Sequence, residues 1–331
     1  MNVTGMACLG SFGTGTRDLL SAFAVLPASE FAGDRAARAD TTGLTGLLPA
    51  RSLRQTDHFT RMALLAVLKA VEDAQDEGGS DFSDGETAIV VASGYGPASP
   101  TFDFLDSLLE YGETMASPLA FSHSVQNIPA ATLAMRLGLT GPCATVCQWD
   151  NPVAPALVIA RQWLREGRAK RVLFGAVDEL TPFLEETSAR LSARKAARAS
   201  GAHTRVPLGE GAVFFCLEDR DKGKCYGEIG RVELGVGHAD FPVLPQAVFF
   251  ASGRVPLEWA ALPGAIRALP AYGNIPIAQA FNLAVFFAQA GDFPGGETVC
   301  AHFGRDGLAD IVRAAGKSCE RAACFNPQRN F

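Results

Sequence analysis

The sequence predicts an α/β protein with a largely parallel central sheet. Apolar runs of strand length alternate with segments of helical periodicity along most of the chain. The run 86–92 is apolar almost throughout, as expected of a strand buried on both faces. The segments 143–149, 153–167 and 171–176 have the patterns of strand, helix and strand, which together form a βαβ unit. These patterns alone do not identify which α/β fold the chain adopts.

The other predicted elements follow in order, and the second half repeats the theme in shortened form. A strand at 2–9 leads to a turn and helix at 14–24, and the segment 54–76 has apolar residues along one helical face. The remaining predictions are helices at 101–111, 130–137 and 277–290, and strands near 212–218, 228–234, 247–251 and 298–303.

The amino-acid composition limits the domain organisation and the classes of function that this chain can have. The 331 residues are 48% hydrophobic and 19% charged, which suits one large domain or two coupled halves with a sizeable core. The net charge is −6, and no clustered basic patch of the kind that binds nucleic acid is present. A short basic cluster at 190–198 predicts a solvated helix face, with docking of an acidic carrier protein as the alternative.

Neither targeting nor membrane insertion is predicted. The N-terminal segment has no basic start and no long apolar run, and no stretch approaches the roughly 18 apolar residues of a membrane span. The eight cysteines show neither the paired spacing of zinc sites nor the density of a secreted scaffold. We therefore expect a cytoplasmic protein without a metal site.

Several segments occur in the order found in one known family. The opening segments 4–6 and 11–15, the glycine-rich turn 92–96, the stretches 121–130 and 137–142, and the segment 207–212 resemble landmarks of the β-ketoacyl synthases. The segment 141–152, an apolar helix and the strand 171–179 resemble the nucleophile region of that family. The resemblance covers residues 1–220 well and is weak beyond 225.

This resemblance implies a thiolase-like fold. Such a fold is layered α/β/α/β/α and has two related halves, of which the second is shortened in this chain. We expect a β-ketoacyl synthase N-terminal-like half at 1–225 and a shortened C-terminal thiolase-like half at 226–331.

The family's reactive cysteine is replaced in this chain by Asp150. A condensing enzyme needs a thiolate there, because the nucleophile must accept and release an acyl chain as a thioester. A carboxylate cannot do this. The sequence instead predicts a helix start, with Asp150 or Asn151 as N-cap and Pro152 at the first helical position.

The two histidines that assist the family's cysteine are also missing. The resemblance places them at Ser252, within the strand segment 248–253, and at Asn274, before the helix at 277–290. Neither side chain can replace an imidazole as hydrogen-bond donor to a thioester or in malonyl decarboxylation. All three catalytic positions are therefore degenerate.

Histidine and cysteine are the two residue types that could replace the missing catalytic groups. His123 precedes the nucleophile strand, and we expect it to be a structural histidine. Cys143 and Cys147 lie on that strand at a spacing that points them to one face, and we expect both to be buried and inert. Cys147 as an alternative nucleophile is the competing hypothesis.

An inert relative of a synthase resembles a chain length factor of type II polyketide and aryl-polyene systems. The resemblance implies a heterodimer with an active ketosynthase, in which this chain walls the tunnel for the growing acyl chain. It also implies an acyl carrier protein that presents its substrate on phosphopantetheine, and no cofactor. The interface or tunnel candidates are Phe102, Phe104, Leu108, His123 and Gln126, with ordinary core packing as the alternative for the helix 101–111.

Two other functions stay open. One is an enzyme with altered chemistry, such as malonyl-carrier decarboxylation or acyl transfer. The other is a homodimeric pseudoenzyme that binds an acyl group or a carrier protein.

Overall fold

A computed structural model gives the fold of this chain. It describes residues 1–25, 38–54, 56–76, 81–82, 85–196, 207–219, 225–237, 249–256, 265–266, 269–289, 297–304 and 306–316, with the backbone alone at 25, 192–196, 265 and 269–270. His203, His238 and part of the basic cluster at 190–198 lie outside the described side chains.

Ten α-helices and eleven strands are seen in these residues. The helices are α1 (Thr16–Val25), α2 (Ala50–Leu53), α3 (His58–Gln75), α4 (Ala98–Tyr111), α5 (Pro118–Ser124), α6 (Ile128–Leu137), α7 (Val153–Arg165), α8 (Pro182–Ala196), α9 (Leu269–Tyr272) and α10 (Ala278–Ala288). The strands are β1 (Asn2–Gly10), β2 (Gly13–Thr14), β3 (Thr87–Ser93), β4 (Cys143–Cys147), β5 (Arg171–Asp178), β6 (Gly211–Glu218), β7 (Gly227–Val236), β8 (Phe249–Gly253), β9 (Ala265–Ile266), β10 (Glu297–Phe303) and β11 (Ala309–Gly316).

The strand order shows two related halves. The order along the described sheet is β4-β3-β5-β6-β1-β7-β11-β10-β8-β9, with β2 paired to β1. Numbered within each half, the five main strands follow the same order, 3-2-4-5-1, and the halves meet where β1 pairs briefly with β7. We propose that the domains meet between β6 and β7, at the boundary expected near residue 225.

The prediction of a largely parallel sheet was wrong. Six of the ten described pairings are antiparallel and four are parallel. Strands buried on both faces have the same apolar pattern in either direction, so the sequence does not reveal the direction. The strand predicted near 298–303 was also not the last, because β11 follows it and pairs with β10.

Two helices lie between the sheet halves, and the turn before the first of them contributes to the site. Helix α7 packs against β3, β5 and β7, and α10 packs against β8, β10 and β1. Both belong to the largest apolar cluster, which includes inward-facing residues of strands from both halves. Ten consecutive residues of α10, Ala278 to Phe287, are buried. The other face of the first half is covered by α3 and α6.

The segment before β4 contains one more helix than predicted. Helix α5 begins after Ser117, whose hydroxyl accepts a hydrogen bond from the Ala120 N–H, and has Pro118 in its first turn. The apolar pattern predicts helical structure only at 130–137, although Ser-Pro is a recognisable start signal. Within the described residues, no helix combines the length and hydrophobicity needed to cross a bilayer.

Candidate functional site

The turn between β4 and α7 contains Asp150, which the family resemblance places at the nucleophile position. Helix α7 begins at Val153, and its N-cap residue is Pro152. The expected arrangement, with Asp150 or Asn151 as N-cap and Pro152 at the first helical position, was therefore wrong. Asn151 has a left-handed backbone (φ 63°), which asparagine tolerates better than most residues. This turn directs the Asp150 side chain towards the second half of the protein.

Two strand ends in the second half supply the partners of this turn. Parallel strands β8 and β10 pair Ser252 with His302, and antiparallel β11 pairs Asp310 with His302. Directly paired residues share a face of the sheet, so these three side chains lie side by side on the interior face. Ser252 is fully buried and His302 is 3% exposed.

Asp150 and His302 meet across the two halves. Asp150 Oδ1 lies 3.5 Å from His302 Nε2, and the Asp150 side chain is about one-third exposed. Ser252 Oγ lies 3.1 Å from His302 Nδ1 on the other side of the ring. The result is a row of carboxylate, imidazole and hydroxyl that runs from the surface into the core.

Two glycines leave room for this row because they have no side chain. A Cβ on Gly253, whose φ is 74°, would stand 2.9 Å from His302 Nε2 and 2.3 Å from the Phe303 carbonyl oxygen. A Cβ on Gly304 would stand 3.7 Å from Asp150 Oδ2. Glycine at 253 is thus required both by the left-handed conformation and by the close approach of the imidazole.

Asp310 adds a second carboxylate behind the imidazole. Burial raises the pKa of Asp310, and hydrogen bonds from the Gly235 N–H and the Asn151 side chain offset this only in part. The nearby His302, when protonated, also favours the charged form of Asp310. Among the described side chains, the carboxyl groups of Asp150 and Asp310 thus both lie beside the imidazole of His302.

A buried carboxylate fixes the loop on the other side of the turn. Asp178, at the end of β5, accepts hydrogen bonds from the Ser93 hydroxyl and from the N–H groups of Gly94 and Tyr95. The Tyr95 ring packs edge-on against Trp149, with 5.2 Å between the ring centroids. Asp178 thereby couples the loop after β3 to the residue before Asp150.

We expect Asp178 to make stability depend on pH. Burial raises its pKa to about 7, despite the hydrogen bonds from Tyr95, Ser93 and Gly94, which lower it. The folded protein then holds a proton that the unfolded chain releases near pH 4, so the contribution to stability is lost as pH rises to about 7. The difference in free energy of unfolding between wild type and Asp178→Asn should fall over this range and level off above it. A difference that rises with pH would contradict this assignment.

Cys147 and Gln126 come together at the same loop. Gln126 Oε1 lies 2.2 Å, and Cys147 Sγ 3.3 Å, from where a Cβ on Gly96 would stand, and Gly96 has a φ of 65°. The expectation that Cys143 and Cys147 are buried was wrong, because both are exposed on β4 at the edge of the described sheet. Although the residue is exposed, partial burial of its sulfur, followed by the nearby Asp178, raises the pKa of Cys147, which disfavours the thiolate.

Two other predicted site residues, Asn274 and His123, have described contacts with residues other than Asp150. Asn274 is exposed and pairs through its backbone with Pro207 and Gly209. His123 Nδ1 lies 3.2 Å from Asp57 Oδ2, at the start of α3. His123 borders a cavity of about 420 Å³ together with Asp57 and Arg136.

Helix α4 carries the candidates Phe102, Phe104 and Leu108 on an accessible face. All three are half-buried, and Pro100 is the helix's buried residue, so ordinary core packing does not account for this helix. Phe102 packs on Phe183 and Phe104 on Phe121, with ring centroids 5.0 and 5.2 Å apart. The α4–α6 face is defined by exposed apolar residues Leu105, Leu109, Met115, Leu119, Phe121 and Met135.

Sequence reasoning missed His302 and Asp310. The segment 302–307 contained a signal, because a histidine stands there in the part of the chain where the family resemblance is weak. Their meeting with Asp150 joins residues more than 150 positions apart, and no local pattern reveals such a contact.

The repeated halves and the site at the head of α7 define a thiolase-like ketosynthase fold. The family model "Beta-ketoacyl synthase, N-terminal domain" matches residues 27–222, more than half of the chain, so the chain belongs to the β-ketoacyl synthase family. The resemblance predicted from sequence is thus confirmed.

Curated relatives match only part of their length. A putative polyketide beta-ketoacyl synthase 1 of Streptomyces virginiae is 29% identical over 200 residues, 56% of this chain and 47% of the relative. The chloroplastic 3-oxoacyl-[acyl-carrier-protein] synthase I of Hordeum vulgare is 28% identical over 140 residues, 40% of this chain and 30% of the relative. The chain therefore spans less than half the length of these relatives.

Solved structures agree in fold. The ishigamide ketosynthase/chain length factor superposes with a TM-score of 0.70 at 19% identity, over 95% of this chain and 99% of that one. A type II polyketide ketosynthase structure with its acyl-carrier protein, AntDE:AntF, gives 0.73 at 16% identity, over 96% and 99%. The Xenorhabdus doucetiae ketosynthase ApeO in complex with its chain length factor ApeC gives 0.58 at 14%, over 95% and 98%.

Proposed function

We propose that this chain is a ketosynthase-like subunit of the chain length factor type. It does not catalyse condensation itself, but pairs with an active β-ketoacyl synthase and shapes the tunnel for an acyl chain carried on phosphopantetheine. The observation that carries this proposal is the carboxylate of Asp150 at the nucleophile position, held against His302. A carboxylate there cannot form the thioester that condensation requires.

The nearest thiol does not replace the missing nucleophile. Cys147 lies on the strand rather than at the head of α7, and its pKa is raised by burial and by Asp178. Attack on a thioester requires a thiolate, which a neighbouring carboxylate disfavours. These properties support loss of condensation rather than transfer of the role to a second cysteine.

The surface supports a protein partner. The α4–α6 face exposes a series of large apolar side chains, including Leu109 at 84% and Met115 at 70%. Clusters of exposed large apolar side chains are typical of interaction sites on soluble domains. Strand β4 ends the described sheet beside this face, and an edge strand can pair with a strand of another subunit. A partner with the same fold has a matching edge strand.

Co-expression tests the proposal directly. We expect this chain, carrying the only affinity tag, to purify in a one-to-one complex with an active ketosynthase from the same organism. The complex should elongate a malonyl-carrier substrate, and this chain alone should not. Replacing the partner's catalytic cysteine with alanine should abolish elongation and leave the complex intact. A homodimer that ignores the ketosynthase would contradict the proposal and favour the homodimeric pseudoenzyme.

A further inference from the structure

The carboxylate and imidazole at the head of α7 have no role in the tunnel function. His302 Nε2 is buried, has no hydrogen-bond partner among the described residues and faces Asp150 Oδ1 at 3.5 Å. Ser252 Oγ holds the opposite ring nitrogen at 3.1 Å. A buried polar atom without a partner is costly, so such an arrangement calls for an explanation.

The order of the three groups decides which of them can react. Serine, histidine and aspartate also form the row of serine hydrolases, where the serine is accessible and acts as nucleophile. In this chain Ser252 is fully buried, whereas Asp150 is about one-third exposed. The end that a substrate can reach is therefore the carboxylate, and the natural role of the row is that of a base.

The hydrogen bonds give the row a direction for proton transfer. The Ser252 hydroxyl donates to the Ala301 carbonyl oxygen at 3.3 Å, so it can accept a hydrogen bond from His302 Nδ1–H. The neutral ring then turns the lone pair of Nε2 towards Asp150. A proton taken up by the carboxylate can pass to this nitrogen, because a neutral imidazole nitrogen accepts a proton.

We propose that Asp150, positioned by His302 and Ser252, is a general base for hydrolysis of acyl thioesters. Asp150 takes a proton from water as the water oxygen attacks the carbonyl carbon. The carbon–sulfur bond then breaks, and the proton passes to the leaving thiolate, which yields a carboxylic acid and a thiol. The thioester as substrate class rests on the proposed function.

The charges favour a neutral acyl group over a malonyl group. Asp150 and Asp306 flank Gly304, where a Cβ would stand 3.7 Å from Asp150 Oδ2 and 2.8 Å from Asp306 Oδ1. Asp310 lies behind His302. The free carboxylate of a malonyl thioester would face these described carboxylates, so we expect hydrolysis of uncharged acyl thioesters to be favoured over malonyl decarboxylation.

The test uses the full chain with N-acetylcysteamine thioesters of octanoate and malonate, and follows thiol release. We expect the octanoyl thioester to be hydrolysed faster than the malonyl one. Asp150→Asn should slow octanoyl hydrolysis by about 10²- to 10⁴-fold, the usual contribution of a general base. Glu186→Gln, at an exposed carboxylate on α8, should leave the rate unchanged. Hydrolysis no faster than in buffer, or an equal rate in Asp150→Asn, would overturn the proposal.

The positioning role of His302 has its own readout. In His302→Gln the base is a carboxylate without an imidazole, so the acidic limb of the pH–rate profile should move to lower pH as the plateau rate falls. Ser252→Ala should give a smaller loss. Circular dichroism establishes that each variant is folded. An unchanged pH profile in folded His302→Gln would remove His302 from the mechanism.

Failure of the hydrolytic proposal and failure of the proposed partner role give different experimental results. A complex with the ketosynthase, without Asp150-dependent thiol release, would refute the hydrolytic proposal alone. Asp150-dependent release by a chain that binds no ketosynthase would refute the partner role and support the base.

Discussion

Glu210→Ala should lower the free energy of unfolding by about 3–5 kcal/mol, the usual cost of removing one partner of a buried charged network. Glu210 is fully buried and accepts hydrogen bonds from the N–H groups of Ala39 and Leu180, at 2.9 and 3.0 Å. His58 Nε2 lies 2.9 Å from the same carboxylate. One side chain thus joins the residue before β6 to the segment after β5 and to helix α3.

The titration of the pair supports this role. Burial alone would raise the pKa of Glu210, but the hydrogen bonds from His58, Leu180 and Ala39 outweigh it and lower the pKa. The hydrogen bond to Glu210 raises the pKa of His58, against the opposing effect of burial. The charged states of both groups are therefore favoured in the fold, and removal of the carboxylate leaves its donors buried without an acceptor.

Denaturation in urea measures the loss, and a second carboxylate provides the control. Glu186 and Arg190 form an exposed pair one turn apart on α8, so Glu186→Ala should change stability by less than about 0.5 kcal/mol. Glu210→Gln keeps the volume and one carbonyl oxygen, so its loss should lie between those of the other two variants. A Glu210→Ala protein as stable as Glu186→Ala would show that the buried carboxylate does not hold these segments together.

Local structure was the part of the fold that the sequence could predict. Strand β3, strand β5 and helix α7 have apolar patterns that follow directly from burial, and the observed bounds differ from the predicted ones by one or two residues at most ends. Strand direction was not predictable, because β5 and β6 have similar apolar patterns and yet pair antiparallel. Strand β11 was missed because its alanines, with Asp310 and Arg313 between them, give only a weak apolar signal.

The contacts within the site could be predicted from the sequence only in part. Family resemblance located Asp150 and Ser252, which the structure places on either side of one imidazole. It did not supply that imidazole, because His302 is not at a position of the family's catalytic histidines. The register of β8 against β10 brings Ser252 and His302 together, and register is a property of the assembled sheet. Burial of Cys147 was mispredicted for a related reason, since the edge position of β4 appears only once the sheet is formed.

The two proposals place different demands on the same subunit. A tunnel wall needs an intact interface and tolerates any residue at position 150 that cannot form a thioester. A general base needs Asp150 and His302 specifically and does not need the interface. Substitutions on the α4–α6 face and at the head of α7 should therefore have independent effects on assembly and on thioester hydrolysis.

Leu109→Asp should abolish assembly with the ketosynthase. Leu109 is 84% exposed on α4, so the isolated chain should fold normally with a charge there. If the α4–α6 face is covered in the complex, the carboxylate becomes buried without a partner, and the dissociation constant should rise by at least about 100-fold. Co-purification with the tagged chain, followed by titration of the separate subunits, measures this change.

Two further variants separate the interface from the tunnel. Leu234→Asp places the same charge on an exposed leucine of β7, away from α4, and should leave assembly intact. Phe102→Ala removes a half-buried ring that packs on Phe183, and we expect it to preserve the complex while lengthening the products. Normal assembly of Leu109→Asp would place the partner on another surface. Unchanged product length in Phe102→Ala would instead remove Phe102 from the tunnel, because a ring that limits chain growth cannot be removed without extending the space available to the acyl chain.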